Sequence, residues 1–99
     1  MRPIYTARLD KMRPVLVLTR DLVRPYLARV TVAPITTSIR GLSTEVPVGR
    51  ANGLAERSVI SCDNIVTVPK STLDRQIGYL LPVQEAALTA AIHAAFDLD

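Results

Sequence analysis

The chain has one cysteine, Cys62, and one histidine, His93. A single cysteine excludes a disulfide framework and fits a reducing cytosol. One cysteine and one histidine are also too few soft ligands for a dedicated zinc site. Lysine is nearly absent, with only Lys11 and Lys70, so the net charge of +3 and the pI near 9.5 rest on arginine. No hydrophobic run is long enough to span a bilayer. The N-terminus, Met1-Arg2-Pro3-Ile4-Tyr5, enters a strand-like pattern at once, and no signal peptide is visible. A glycine-rich phosphate loop, a His-x-x-x-His pair and a Gly-x-Ser-x-Gly elbow are all missing, which sets aside nucleotide hydrolases, zincins and serine esterases. Repeats, low-complexity tracts and linkers are missing too, and 99 residues make one domain, 1–99.

What is present is a series of short apolar runs punctuated by turns. Ile4 to Leu9 reads as a strand, followed by the very short connection Asp10-Lys11-Met12. Val15 to Thr19 is near-continuously apolar and β-branched, which predicts a strand buried on both faces. Arg20 to Tyr26, with Pro25, is a surface excursion containing a turn of helix. Ala28 to Ile35 is a third strand and Thr44 to Val48 a fourth. Gly49-Arg50-Ala51-Asn52-Gly53 is a turn. Ser58 to Cys62 and Ile65 to Val68 are strands interrupted by Asp63-Asn64. Ser71 to Asp74 fits a helical turn capped by Ser71, and Ile77 to Leu80 a last short strand.

The end of the chain differs in kind. Pro82 to Phe96 is alanine-rich and places Val83, Ala87, Leu88, Ala91, Ile92, Ala95 and Phe96 on one stripe. Pro82 suits a first helical turn, as does Glu85. The expected fold is therefore mostly β, a small curved antiparallel sheet or open barrel, with a C-terminal α-helix covering one face.

Candidate chemistry gathers at the ends of two of these strands. Arg13 precedes Pro14, so its backbone is extended and its mount rigid. Such a cation either holds a phosphate or snorkels to water as an ordinary strand-end arginine. Thr36 and Thr37 end an apolar strand, and their hydroxyls either donate to a phosphate oxygen or reflect β-propensity and a loop start. Ser38 and Arg40 follow, so Thr36-Thr37-Ser38-Ile39-Arg40 gathers donors without an acid, as an anion site requires. Asp63, at a break between strands, acts as a base, accepts from a base edge, or makes an Asx turn. Cys62 reads as a small buried filler, and His93, on the helix, as surface or structural.

Taken in order, the segments Leu9-Asp10, Arg13-Pro14-Val15-Leu16-Val17-Leu18, Val32-Ala33-Pro34-Ile35-Thr36, Thr44-Glu45-Val46, Asn52-Gly53-Leu54, Ser61-Cys62-Asp63 and Ile77-Gly78-Tyr79-Leu80 resemble the MazF/PemK family of toxins from bacterial toxin–antitoxin pairs. The resemblance covers nearly the whole chain. It implies an SH3-like barrel of the MazF/CcdB type assembled as a homodimer in the cytoplasm, with no membrane contact. It implies a metal-independent, sequence-specific endoribonuclease that needs no cofactor and cuts single-stranded RNA, whether mRNA or tRNA and rRNA loops, arresting translation and growth. It also implies a cognate, MazE-like antitoxin whose disordered tail occupies the RNA groove. By the same resemblance Arg13 and Thr36 are the catalytic residues, and Thr37, Ser38, Arg40 and Asp63 are RNA-binding candidates. A toxin of the same fold that poisons gyrase by binding protein, without nuclease activity, is the alternative.

This chain departs from the family pattern in two places. Relatives that give the acid of the Asp63 segment a catalytic role carry an arginine two residues before it, where this chain has Ser61. Many relatives also carry a long glycine-rich loop between the first two strands, which is reduced here to Asp10-Lys11-Met12. A more open groove, able to admit structured RNA, is expected.

Overall fold

A computed structural model describes residues 1–98. The strands are β1 (Pro3–Arg8), β2 (Met12–Val17), β3 (Arg29–Thr36), β4 (Glu45–Val48), β5 (Ser58–Ser61), β6 (Val66–Pro69) and β7 (Leu73–Tyr79); the helix is α1 (Glu85–Ala95). Every pairing is antiparallel, in the order β4-β5-β3-β2-β1-β7, with β6 alongside β3 and the sheet unclosed. The mostly β fold with a C-terminal helix stands as expected.

β3 is the central strand. Val32–Pro34 pair with β2, Arg29–Val32 pair with β6, and Ile35–Thr36 pair with β5. A 3-10 turn at Cys62–Asn64 lets β5 and β6 follow one edge of β3 in succession. Side chains alternate across a strand, and here the alternation serves two cores. Leu16, Ala33 and Ile35 join a cluster with Ile60, Leu80, Leu88 and Ala91 on the helix side. Val15, Val17, Val30 and Val32 join a second cluster with Ala7 on the opposite face. Continuous hydrophobicity in β2 is thus explained by burial on both faces.

Several boundaries differ from the sequence reading. β2 starts at Met12, so Arg13 lies inside a strand, where it faces Ala7 of β1. The tight connection lets the β1–β2 ladder run to Arg8↔Met12. Leu18 and Thr19 fall beyond it and are held by bonds to Thr31. The expected excursion contains a 3-10 turn, Arg24–Tyr26. Ser71 caps no helix: Lys70–Thr72 is a 3-10 turn without a side-chain cap, and Leu73 and Asp74 already belong to β7. β7 is longer than expected because an edge strand needs no apolar run; Asp74, Arg75 and Gln76 are exposed on it.

The helix stripe is narrower than the sequence suggested. Leu88 and Ala91 are buried, and Ile92 and Ala95 pack beside them. Val83 (82 % exposed) sits in a preceding 3-10 turn, Pro82–Gln84, and Phe96 (55 % exposed) lies past the helix end. The start of α1 is anchored by a buried polar junction. Asn52 accepts the Gly49 N–H at 3.1 Å and donates to the Tyr79 carbonyl at 2.9 Å and to Gln84 Oε1 at 2.7 Å. Gln84 Oε1 also accepts the Leu81 N–H at 2.9 Å.

Candidate active site

The β2–β3 ladder ends at Val15↔Pro34, two residues short of Arg13 on β2 and of Thr36 on β3. Both side chains line one open cavity of about 550 Å³, together with Ser38, Arg40 and Asp63. The fold therefore gathers five of the six sequence candidates. Thr37, the first residue past β3, is exposed and does not line the cavity.

Arg13 is not a free cation. Its Nε donates to Asp10 Oδ1 at 2.9 Å and its Nη2 to Asp10 Oδ2 at 3.1 Å, the parallel fork that guanidinium and carboxylate geometry favours. The three-residue connection makes this possible, since it folds Asp10 back beside the start of β2. The fork holds the Asp10 carboxyl well below the usual carboxylate range and raises Arg13 further. Among the described residues the Arg13 Nη1 has no partner, so a fixed guanidinium still presents donors to the cavity. The Thr36 hydroxyl accepts the Ser38 N–H at 3.1 Å. That bond orients the oxygen and leaves the hydroxyl proton available to a ligand.

The site is richer in acid than the local sequence suggested. Asp10, Glu45 and Asp63 all line the cavity. The donor-rich run Thr36–Arg40 contains no acid, but Glu45, next along the loop, turns its carboxylate onto the backbone amides of that loop. Asp63 accepts the Thr44 hydroxyl at 2.6 Å and ties the β3–β4 loop to the Cys62–Asn64 turn. Asn64, also in the cavity lining, donates to Ser61 Oγ at 2.8 Å. Asp10 carried a readable signal, an acid three residues before an arginine across a minimal turn. Glu45 stood within the Thr44-Glu45-Val46 segment, but its role was not readable, because its partners are backbone groups that a loop conformation brings together.

Two further residues fall outside this chemistry. Cys62 is 1 % exposed, and burial, reinforced by Asp63, pushes its thiol up to about 11, so it is a protonated filler. His93 is exposed in the last turn of α1, away from the cavity lining. No group of three or more His, Cys, Asp or Glu side chains among the described residues is placed to hold a metal ion. No helix among them is long and apolar enough to cross a membrane.

The model of the PemK-like, MazF-like toxins of type II toxin–antitoxin systems matches residues 2–96. The chain belongs to this family. It is 66 % identical over 99 residues to "Endoribonuclease MazF3" of Mycobacterium tuberculosis (strain ATCC 25618 / H37Rv), covering 100 % of this chain and 96 % of that protein. Among solved structures it is similar to "Mycobacterium tuberculosis toxin MazF-mt6", with a TM-score of 0.97 and 65 % identity over 99 % of both chains. It is also similar to "Endoribonuclease in complex with its cognate antitoxin from Mycobacterial species", with a TM-score of 0.87 and 26 % identity over 98 % of this chain and 93 % of that one. The PemK/MazF fold and its toxin class thus agree with the ordered motifs.

Proposed function

We propose that this PemK/MazF toxin is an endoribonuclease that cleaves single-stranded RNA with Arg13 and Thr36 as its catalytic residues and without a metal ion. The observation that carries the reading is that a guanidinium held in a fork and an oriented hydroxyl, from the adjacent strands β2 and β3, line one open cavity. The names of the similar proteins, endoribonucleases of toxin–antitoxin systems, support it.

The reaction follows from what these groups can do. A ribose 2′-oxygen attacks the adjacent phosphorus, the bond to the 5′-oxygen breaks, and a 2′,3′-cyclic phosphate forms. The proton lost from the 2′-hydroxyl is balanced by one gained at the departing 5′-oxygen. Charge builds on the phosphorane oxygens, and Arg13 sits ready to stabilise it without moving. Because a guanidinium stays protonated, its role is electrostatic first and proton donation second. The Thr36 hydroxyl donates to a phosphate oxygen or orients the 2′-hydroxyl. Ser38, Arg40 and Asp63 hold or read bases splayed from the strand; Thr37, outside the cavity lining, contacts the RNA beside it. The same cation–hydroxyl pair has no use in a toxin that only binds protein.

The toxin works in the cytoplasm as a homodimer and is silenced by a cognate antitoxin whose tail competes with RNA for the groove. The experiment is to incubate purified protein with total cellular RNA in excess EDTA and sequence the fragment ends. Discrete cuts leaving 5′-hydroxyl and 2′,3′-cyclic phosphate ends are expected. Intact RNA, or cutting only when divalent metal is restored, would refute the reading.

A further inference from the structure

The middle of the loop between β3 and β4 is gathered by one side chain. Glu45, half-buried at the start of β4, takes the N–H of Gly41 at 2.8 Å, of Arg40 at 3.1 Å and of Leu42 at 3.2 Å on Oε1; its Oε2 also takes the Arg40 N–H at 3.3 Å. Gly41 adopts a left-handed φ of +73°, which turns three successive amides toward a single point. Such an array is a backbone nest, a form that ordinarily binds a phosphate or another anion. Here the chain fills its own nest. The Glu45 N–H in turn donates to the Leu42 carbonyl at 3.1 Å, and the Thr44 carbonyl accepts the Cys62 N–H at 3.0 Å. The C-terminal end of the loop is thereby tied to the sheet.

Two consequences follow for a ligand in the cavity. The loop amides are already occupied, so RNA meets this wall through side chains, Ser38 and Arg40 above all. The Arg40 guanidinium has no carboxylate partner among the described residues, and its backbone is fixed at both its own amide and the next. A donor on a pre-formed loop discriminates between bases, whereas the same donor on a floppy loop adapts to several.

We propose that Glu45 is a positioning residue for RNA sequence selection, acting by locking the Ser38–Leu42 wall in the conformation that reads bases beside the cut site. This rests on the endoribonuclease reading and deepens it. Glu45 does not touch the scissile phosphate, so its loss falls on substrate choice and KM more than on kcat.

The test uses the full-length chain with Glu45→Ala, Glu45→Gln and Gly41→Ala, after wild-type cut sites have been mapped on total RNA. Glu45→Ala is expected to raise KM on an oligoribonucleotide of the preferred site about tenfold. It is also expected to broaden the set of mapped sites. Glu45→Gln keeps an acceptor oxygen without the charge and is expected to restore most of the preference. Gly41→Ala reaches the same loop independently. An added Cβ there meets nothing within 4 Å, and only the backbone conformation is strained, so the same broadening is expected. Should Glu45→Ala fail to fold, the Gln and Gly41 variants carry the test. Variants that melt earlier but keep the wild-type sites and KM would show a merely structural role and overturn the inference. A wild-type chain that cuts no RNA would overturn the nuclease reading itself, and this inference with it.

Discussion

The junction around Asn52 and the rim around Arg13 are built from the same kinds of polar side chain, and they differ in what is left over. Asn52 is 1 % exposed, and its donors and acceptors are met by Gly49, Tyr79 and Gln84. Nothing there can bind a ligand, because burial demands that every polar group be matched inside the protein. At the rim, the acids are matched instead: Asp10 by Arg13, Glu45 by loop amides, Asp63 by Thr44. The donors with remaining capacity are cationic or hydroxylic, namely Arg13, Thr36, Ser38 and Arg40, while Asp63 keeps one oxygen as an acceptor for a base. A cavity lined by three acids and two arginines thus presents donors to an anion. The comparison teaches that the sign of a site follows from which groups are already occupied and cannot be read from a count of charges.

The contrast makes a double separation measurable. Arg13→Ala and Thr36→Ala are expected to lower cleavage by at least about 100-fold, the scale of losing a transition-state donor. Neither should lower the melting temperature by more than a few degrees, since both groups lie at a solvent-open rim. A variant that cuts at the wild-type rate would remove its residue from the site. Asn52→Ala is expected to do the reverse. It leaves the Tyr79 carbonyl and the Gly49 N–H without their side-chain partner and should cost about 2 kcal/mol. For a domain of this size that lowers the melting temperature by about 10 °C. Cleavage per folded molecule should stay unchanged, and a loss of cleavage at full folding would join the two networks that the structure separates.

A smaller effect concerns pH. The Asp10 carboxyl is held below its ordinary range by the Arg13 fork. A depressed carboxyl contributes fully above its ordinary pKa and is lost only as pH falls through the lower, folded value. The Asp10–Arg13 pair should therefore add no inflection to the cleavage rate between about pH 5 and pH 9. An inflection in that window that disappears in Asp10→Asn would show that the fork does not hold in solution.

Much of this was legible in the residues. The β-branched runs of β2 and β3 marked the centre of the sheet, because strands buried on both faces must be apolar throughout. Arg13 and Thr36 gained meaning from the order of the surrounding motifs, and the antiparallel pairing of β2 with β3 brings both to one cavity. The edges were less legible. β7 carries Asp74, Arg75 and Gln76, and a strand paired on one side only has no need of an apolar signature. Val83 and Phe96 extended the helical stripe on paper, but the helix proper starts after one and ends before the other. Glu45 could not be found in advance, since its partners are amides that only the folded loop assembles.

In the proposed reaction Arg13 and Thr36 serve an attack by the substrate's own 2′-hydroxyl, with no metal taking part. The most direct measurement is the cleavage of one oligoribonucleotide spanning a mapped site, in excess EDTA, with the cut-site 2′-hydroxyl present or replaced by hydrogen. Wild-type protein is expected to cut the first to a 2′,3′-cyclic phosphate and to leave the second whole. Cleavage of the 2′-deoxy substrate at a comparable rate, or of neither until metal is added, would contradict it.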